Sequence, residues 1–230
     1  MLTPLVLLPG LLCDARLWRD MVLPMRHTVA PMVADLTLDD TIPAMAARTL
    51  AAAPSRFALA GLSMGGYVAL EIMRQAPDRV THLALLDTSA RADTDERRET
   101  RRKGIDNVKL GKFIGVSRGL LPSLVAPHNL DTPLSEEVQA MAERVGQDAY
   151  IRQQMAIMGR VDSRTLLSTI SVPTMVGVGE EDILIPPEMS QEMADTIPHA
   201  ELVHFAQSGH LPTMENPADV AEAMKTLLLR

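Results

Sequence analysis

Uninterrupted apolar runs, LVLL at 5–8, LALL at 83–86 and MVGV at 175–178, are what most narrows the folds open to this chain. A strand with one face in water alternates apolar and polar residues, whereas a strand covered on both faces is apolar throughout. The runs end in turn residues, and longer segments of helical period lie between them. That alternation predicts an α/β fold, a mostly parallel sheet covered by helices. The strands expected are Leu5–Leu8, Thr28–Val33, Phe57–Gly61, His82–Asp87, Thr174–Gly179 and Glu201–Phe205. Helices are expected after a Thr41 cap through Ala53, and over Met64–Gln75, Pro187–Thr196 and Pro217–Leu229. Proline is tolerated in a first helical turn, where its missing N–H has no intrahelical partner to lose.

One region breaks the alternation. From Asp87 to Thr174 there are about 80 residues without a convincing strand, where a βα connection usually takes about 2 to 6. Helical signals fill the gap, over Asp95–Lys109, Leu134–Val145 and Ala149–Met158. The expectation is a helical subdomain at 91–160, inserted over one end of a core formed by 1–90 and 161–230. Within it, the run DERRETRRK (95–103) reads either as an anion-binding face or as a solvated one. Interleaved charges of both signs favour the solvated face.

Composition excludes several classes of function. A net charge of −7 over 230 residues offers no clustered positive surface for nucleic acid or an anionic membrane. The single cysteine, Cys13, cannot form an internal disulfide or a multi-cysteine metal site, and it fits a reducing compartment. The apolar N-terminus lacks a preceding positive charge and is interrupted by Pro9-Gly10, so it is not read as an export signal. No stretch reaches the roughly 18 to 20 apolar residues of a membrane span. The expected location is the cytoplasm, and no metal or cofactor is expected.

The chemistry is concentrated where Phe57–Gly61 runs into Gly61-Leu62-Ser63-Met64-Gly65-Gly66 and then a helix. This is G-x-S-x-G in a tight strand-to-helix turn, with Ser63 at its tip. Glycines there let neighbouring backbone approach, and the helix N-terminus offers N–H groups to developing negative charge. A serine hydroxyl needs a base to take its proton and an acid to orient that base. In this fold class the acid and then the histidine follow the serine along the chain. His210, in QSGH after the last strand, is at the sheet end where Ser63 should lie. His204 falls within a strand, His199 in the turn before it, and His27 and His82 read as structural; His128 is a loop residue able to touch substrate. Asp182, in GEEDILIPPE after a strand, is the favoured acid, with Asp87 as a fallback and Glu180 and Glu181 as lesser candidates.

These residues resemble the α/β-hydrolase family, in particular its small cofactor-free ester and lactone hydrolases. The resemblance rests on LVLLPGLLCDARLW with Trp18, on GLSMGG, on Gly179, Asp182 and Pro186, and on Gly209, His210, Glu215 and Pro217. It implies acyl transfer to water from a small ester-like substrate: Ser63 as nucleophile, His210 as base and Asp182 orienting it. Leu11 and Met64 would supply the oxyanion N–H groups, with Leu12 as a substitute for Leu11. The chain departs from the family in having Pro9-Gly10 where His-Gly is usual, so the first loop must pack differently. With three residues before Pro4 there is no room for the usual opening hairpin, so a sheet of about six strands is expected. The inserted helices should roof the pocket and set specificity, with Leu12, Phe113, Met155 and Met158 among the residues touching substrate and Leu120 and Leu121 nearby. Six aromatic residues in the whole chain suggest an aliphatic, methionine-lined pocket. The same triad also serves C–C bond cleavage, lactones, thioesters and cofactor-free lyase chemistry, and a non-enzymatic receptor is the alternative of another class.

Overall fold

A computed structural model describes residues 2–230. Its six strands are β1 (Thr3–Leu8), β2 (Val29–Val33), β3 (Phe57–Leu62), β4 (Val80–Leu86), β5 (Thr174–Gly179) and β6 (Glu201–Phe205). They form one all-parallel sheet in the order β2-β1-β3-β4-β5-β6. The order reverses between β1 and β3, and loops at the carboxyl ends of such strands are where α/β sheets place their sites.

The helices are α1 (Arg16–Val22), α2 (Ile42–Ala52), α3 (Met64–Gln75), α4 (Asp95–Lys109), α5 (Pro133–Met158), α6 (Arg164–Leu167), α7 (Pro187–Thr196), α8 (Pro212–Glu215) and α9 (Pro217–Leu228). They cover both faces of the sheet, which explains the continuous apolar runs. Leu5 and Leu7 of β1 point into one core, with Leu17, Trp18 and Met21 of α1 and Val220, Met224 and Leu227 of α9. Val6 and Leu8 of the same strand point into the other core, with Met45 of α2, Val68 and Ile72 of α3 and Met193 of α7. Successive residues of one strand therefore serve two cores, and no polar residue has a face to occupy.

Thr41 caps α2 as expected, its hydroxyl accepting the N–H of Ala44 at 3.2 Å. α1 was not anticipated: at seven residues it is too short to show a helical period, though it buries Leu17, Trp18 and Met21. The helices expected at 134–145 and 149–158 form the single span α5, broken at Gly146, whose φ of 78° lies where a side chain would be strained. The two halves thus pack as separate helices.

Candidate active site

Ser63 has φ 55° and ψ −115° between β3 and α3, a strained backbone held by neighbours at the end of β4. Its N–H donates to the carbonyl of Leu86 at 3.0 Å, and its own carbonyl accepts the Thr88 hydroxyl at 2.7 Å. A Cβ at Gly65 would collide with the carbonyl of Leu8, so the glycine lets α3 start directly against β1. The loop after β1 closes from the other side, with Gly10 placed so that a Cβ there would meet Cβ of Ser63 at 3.4 Å.

His210 Nδ1 lies 2.8 Å from Oδ2 of Asp182, with both residues buried. The other carboxylate oxygen of Asp182 accepts the N–H groups of Leu184 at 2.8 Å and Ile185 at 3.0 Å. The carboxylate is thus fixed by the backbone that follows β5. Ser63 and His210 line one cavity of about 590 Å³, together with Gly10, Leu11 and Leu12.

Asp87, the fallback acid, sits at the end of β4 with φ 44° and no exposure. Its Oδ1 accepts the N–H of Gly179 at 2.8 Å. Ligand-capable atoms of Asp87, Asp182 and His210 all lie within 4.8 Å of one another. Burial first, and then the Asp182 carboxylate, push the Asp87 carboxyl well above the usual range, so it keeps its proton. The shift favours the neutral form of Asp87, which lies behind the hydrogen-bonded Asp182 and His210. These three residues are also the group closest to metal-ligand spacing among those described. The 2.8 Å contact from His210 to Asp182 is a hydrogen bond and leaves no room for an ion between them.

The N–H groups of Leu11 and Met64 make no loop hydrogen bond within the protein among the described residues, and Met64 opens α3, where first-turn donors are free. Both are thus open to a substrate oxygen. Leu12 cannot substitute for Leu11, because its N–H donates to Oε1 of Gln153 at 3.0 Å. Its side chain lines the cavity. The thiol of Cys13 is pushed up to about 12, chiefly by burial and then by the Asp14 carboxylate, which removes it as a nucleophile at neutral pH.

Two pocket expectations are corrected. Phe113 and Leu120 line the cavity, but Met155 and Met158 do not. On α5 beyond Gly146 the cavity face is carried by Tyr150, Gln154 and Ile157, spaced at i, i+4 and i+7. Met155 and Met158 each follow a cavity residue by one position, about 100° around the helix, and Met155 is 45% exposed. Nor is the pocket methionine-lined. Met141 is its one methionine, while Tyr67, Phe113 and Tyr150 place three of the six aromatic side chains there.

Two supporting residues escaped the sequence reading in their roles. Gln153, almost wholly buried, accepts the N–H of Leu12 and donates to the carbonyl of Leu36 at 3.2 Å, tying α5 to the first loop. Its partners are backbone atoms 141 and 117 residues away, so no local pattern announces it. In the sequence Glu215 stands only as part of the motif with Gly209, His210 and Pro217. Its Oε1 accepts the N–H groups of Gly209 and Leu211, and its Oε2 those of Ala126 and the Asn129 amide, at 2.7 to 3.2 Å. One carboxylate thereby joins the His210 loop to the segment entering α5.

Comparison with known proteins points the same way. The family model described as alpha/beta hydrolase fold matches residues 39–217. A pimeloyl-[acyl-carrier protein] methyl ester esterase of Aliivibrio salmonicida is 28% identical over 178 residues, 73% of this chain and 67% of that protein. A thermophilic esterase from Thermogutta terrifontis superposes with a TM-score of 0.89 at 29% identity, over 99% of this chain and 89% of the other. The enol-lactonase from Burkholderia xenovorans LB400 shares the fold, with a TM-score of 0.89 at 19% identity over 100% and 92% of the two chains.

Proposed function

The chain belongs to the α/β-hydrolase fold family, and on that premise we propose that it cleaves a carboxylic ester by acyl transfer through Ser63 to water. The observation that carries this reading is the buried 2.8 Å contact between His210 and Asp182 on a cavity that also exposes Ser63. Ser63 Oγ attacks the ester carbonyl as His210 takes its proton, and the imidazole then returns that proton to the departing alcohol. Water repeats the sequence on the acyl-enzyme, using the same base. Asp182 holds the imidazole and stabilises its charged form. The carbonyl oxygen gains negative charge between the N–H groups of Leu11 and Met64, and donors aimed in advance are worth about 3 to 4 kcal/mol each.

In this reading 1–90 and 161–230 are the catalytic core, and 91–160 is the cap that roofs the site. The relatives named as esterases support ester cleavage, and the same steps open a lactone. Among the described residues no helix is long and apolar enough to cross a membrane. On the single cysteine, which fits a reducing compartment, we assign the chain to the cytoplasm.

A fluorophosphonate probe tests the reading directly. Rapid labelling that is lost in Ser63→Ala and His210→Ala, together with hydrolysis of p-nitrophenyl acetate or butyrate, is the expected result. A folded wild-type protein that neither labels nor turns over esters and lactones overturns it.

A further inference from the structure

The charged run on α4 is not wholly solvated. Arg97, Thr100, Arg101, Gly104, Asn107 and Val108 recur at helical spacing and form one wall of the cavity. Among the ionisable groups lining it besides His210, Arg97, Arg101 and Lys112 are cations and Glu96 is the single acid. A chain with a net charge of −7 thus turns a positive wall toward its substrate.

Arg101 is held in place while part of it stays free. Its Nε donates to Oδ2 of Asp93 and its Nη1 to Oε1 of Gln154, both at 2.7 Å. Nη2 makes no hydrogen bond to any described residue. Asp93 does not balance it, because Arg160 Nη1 lies 2.7 Å from the other carboxylate oxygen of Asp93. Two guanidinium groups and one carboxylate leave the cluster with one positive charge, and Asp93 and Arg160 are buried. Arg160 also packs over the ring of Tyr67, 4.2 Å from its centroid, and Tyr67 is a cavity residue. A fixed guanidinium that has shed part of its hydration, with donors to spare, is suited to meeting an anionic oxygen.

Resting on the ester-hydrolase reading above, we propose that the cavity selects esters that carry a carboxylate on the acyl chain, away from the scissile carbonyl, and that Arg101 binds this carboxylate through Nη2. Arg97 and Lys112, more exposed, add attraction that salt can screen. Apart from Thr100, Asn107 and Gln154, the rest of the lining is largely apolar and aromatic, which suits the methylenes between the two carbonyl carbons.

The test compares methyl half-esters of straight-chain dicarboxylic acids, C4 to C8, with methyl esters of monocarboxylic acids of matching length. We expect kcat/KM for the best half-ester to exceed that of its neutral counterpart at least tenfold. This ratio should fall at least tenfold in Arg101→Gln, be partly kept in Arg101→Lys, and shrink between about 20 and 500 mM salt. Equal turnover of both series by the wild type, or a ratio unchanged in Arg101→Gln, overturns the proposal while leaving ester hydrolysis intact. Binding is read separately from turnover: C4 to C8 dicarboxylates should raise the melting temperature of the wild type more than their diamides do, and not that of Arg101→Gln. If no ester is turned over, the function reading fails, and this melting comparison still decides the anion site. If Arg101→Gln does not fold, Arg97→Gln and the salt series carry the test, and a ratio insensitive to both counts against it.

Discussion

The floor and the roof of the cavity are held by different kinds of contact. On the floor, Ser63 is anchored to Leu86 and Thr88, and Asp182 to the N–H groups of Leu184 and Ile185, all at the carboxyl end of one sheet. The roof, α4 and α5, meets the rest of the chain mainly through side chains. Gln153 reaches Leu12 and Leu36, Arg152 the carbonyl of Thr37, and Arg144 and Glu137 the side chains of Asp14 and Arg16. Backbone anchoring at the sheet's carboxyl end fixes Ser63 and Asp182 closely, whereas side-chain ties leave α4 and α5 free to differ in shape and charge without disturbing the residues below. Glu215 joins the two, because it grips the His210 loop with one oxygen and the segment leading to α5 with the other.

The sharpest break in that contrast comes from the floor. Ser63→Ala should lower kcat/KM for an ester by about 10,000-fold or more, with the melting temperature nearly unchanged. Retention of most activity would refute the nucleophile assignment. Next is the joint between the regions: Glu215→Ala leaves four donors without their acceptor, and each buried unsatisfied group costs about 1 to 3 kcal/mol. Both stability and kcat should drop, and a variant that melts like the parent would show the joint to be dispensable.

A tie from the roof to the first loop should matter less. Gln153→Leu strips the partners of Leu12 N–H and Leu36 C=O, for an expected loss of about 2 kcal/mol in unfolding free energy and about tenfold in kcat as the Leu11 donor loosens. Unchanged kcat would mean that the loop holds its shape without the roof.

Asp87 gives a smaller effect with a definite sign. Burial raises the pKa of this carboxyl in the folded protein, so the folded state binds its proton more tightly than the unfolded chain. Its contribution is complete below the ordinary aspartate range and declines as pH rises toward the raised value. Asp87→Asn has no such proton to lose, so its melting temperature relative to the parent should climb from about pH 4 to pH 7. A difference that stays flat or falls over that range contradicts a neutral Asp87. The smallest effect is expected at Met155, which faces away from the cavity: Met155→Ala should change kcat/KM by less than about twofold.

Much of this was legible in the chain, because the features concerned repeat locally. LVLL, LALL and MVGV announce strands covered on both faces, and GLSMGG announces a nucleophile turn, since each depends on residues adjacent in sequence. The order of serine, acid and histidine selected Asp182 and His210, which meet at 2.8 Å. Helix α1 stayed hidden because seven residues show too little periodicity, whereas the separate helices expected at 134–145 and 149–158 do part at a break, at Gly146 with φ 78°.

The sequence by itself determined the two-sided parallel sheet, the helical stretch between β4 and β5 and the turn that presents Ser63, since apolar period and turn residues act over a few positions. Only the tertiary structure decided which face of α5 meets the cavity, which carboxyl burial raises, and that Arg97 and Arg101 of α4 line the cavity while Arg98 and Arg102 do not. Those outcomes depend on burial and on partners far away in the chain. Desolvation beside Asp182 keeps Asp87 neutral, and Asp93, shared between Arg101 and Arg160, leaves one positive charge facing the cavity.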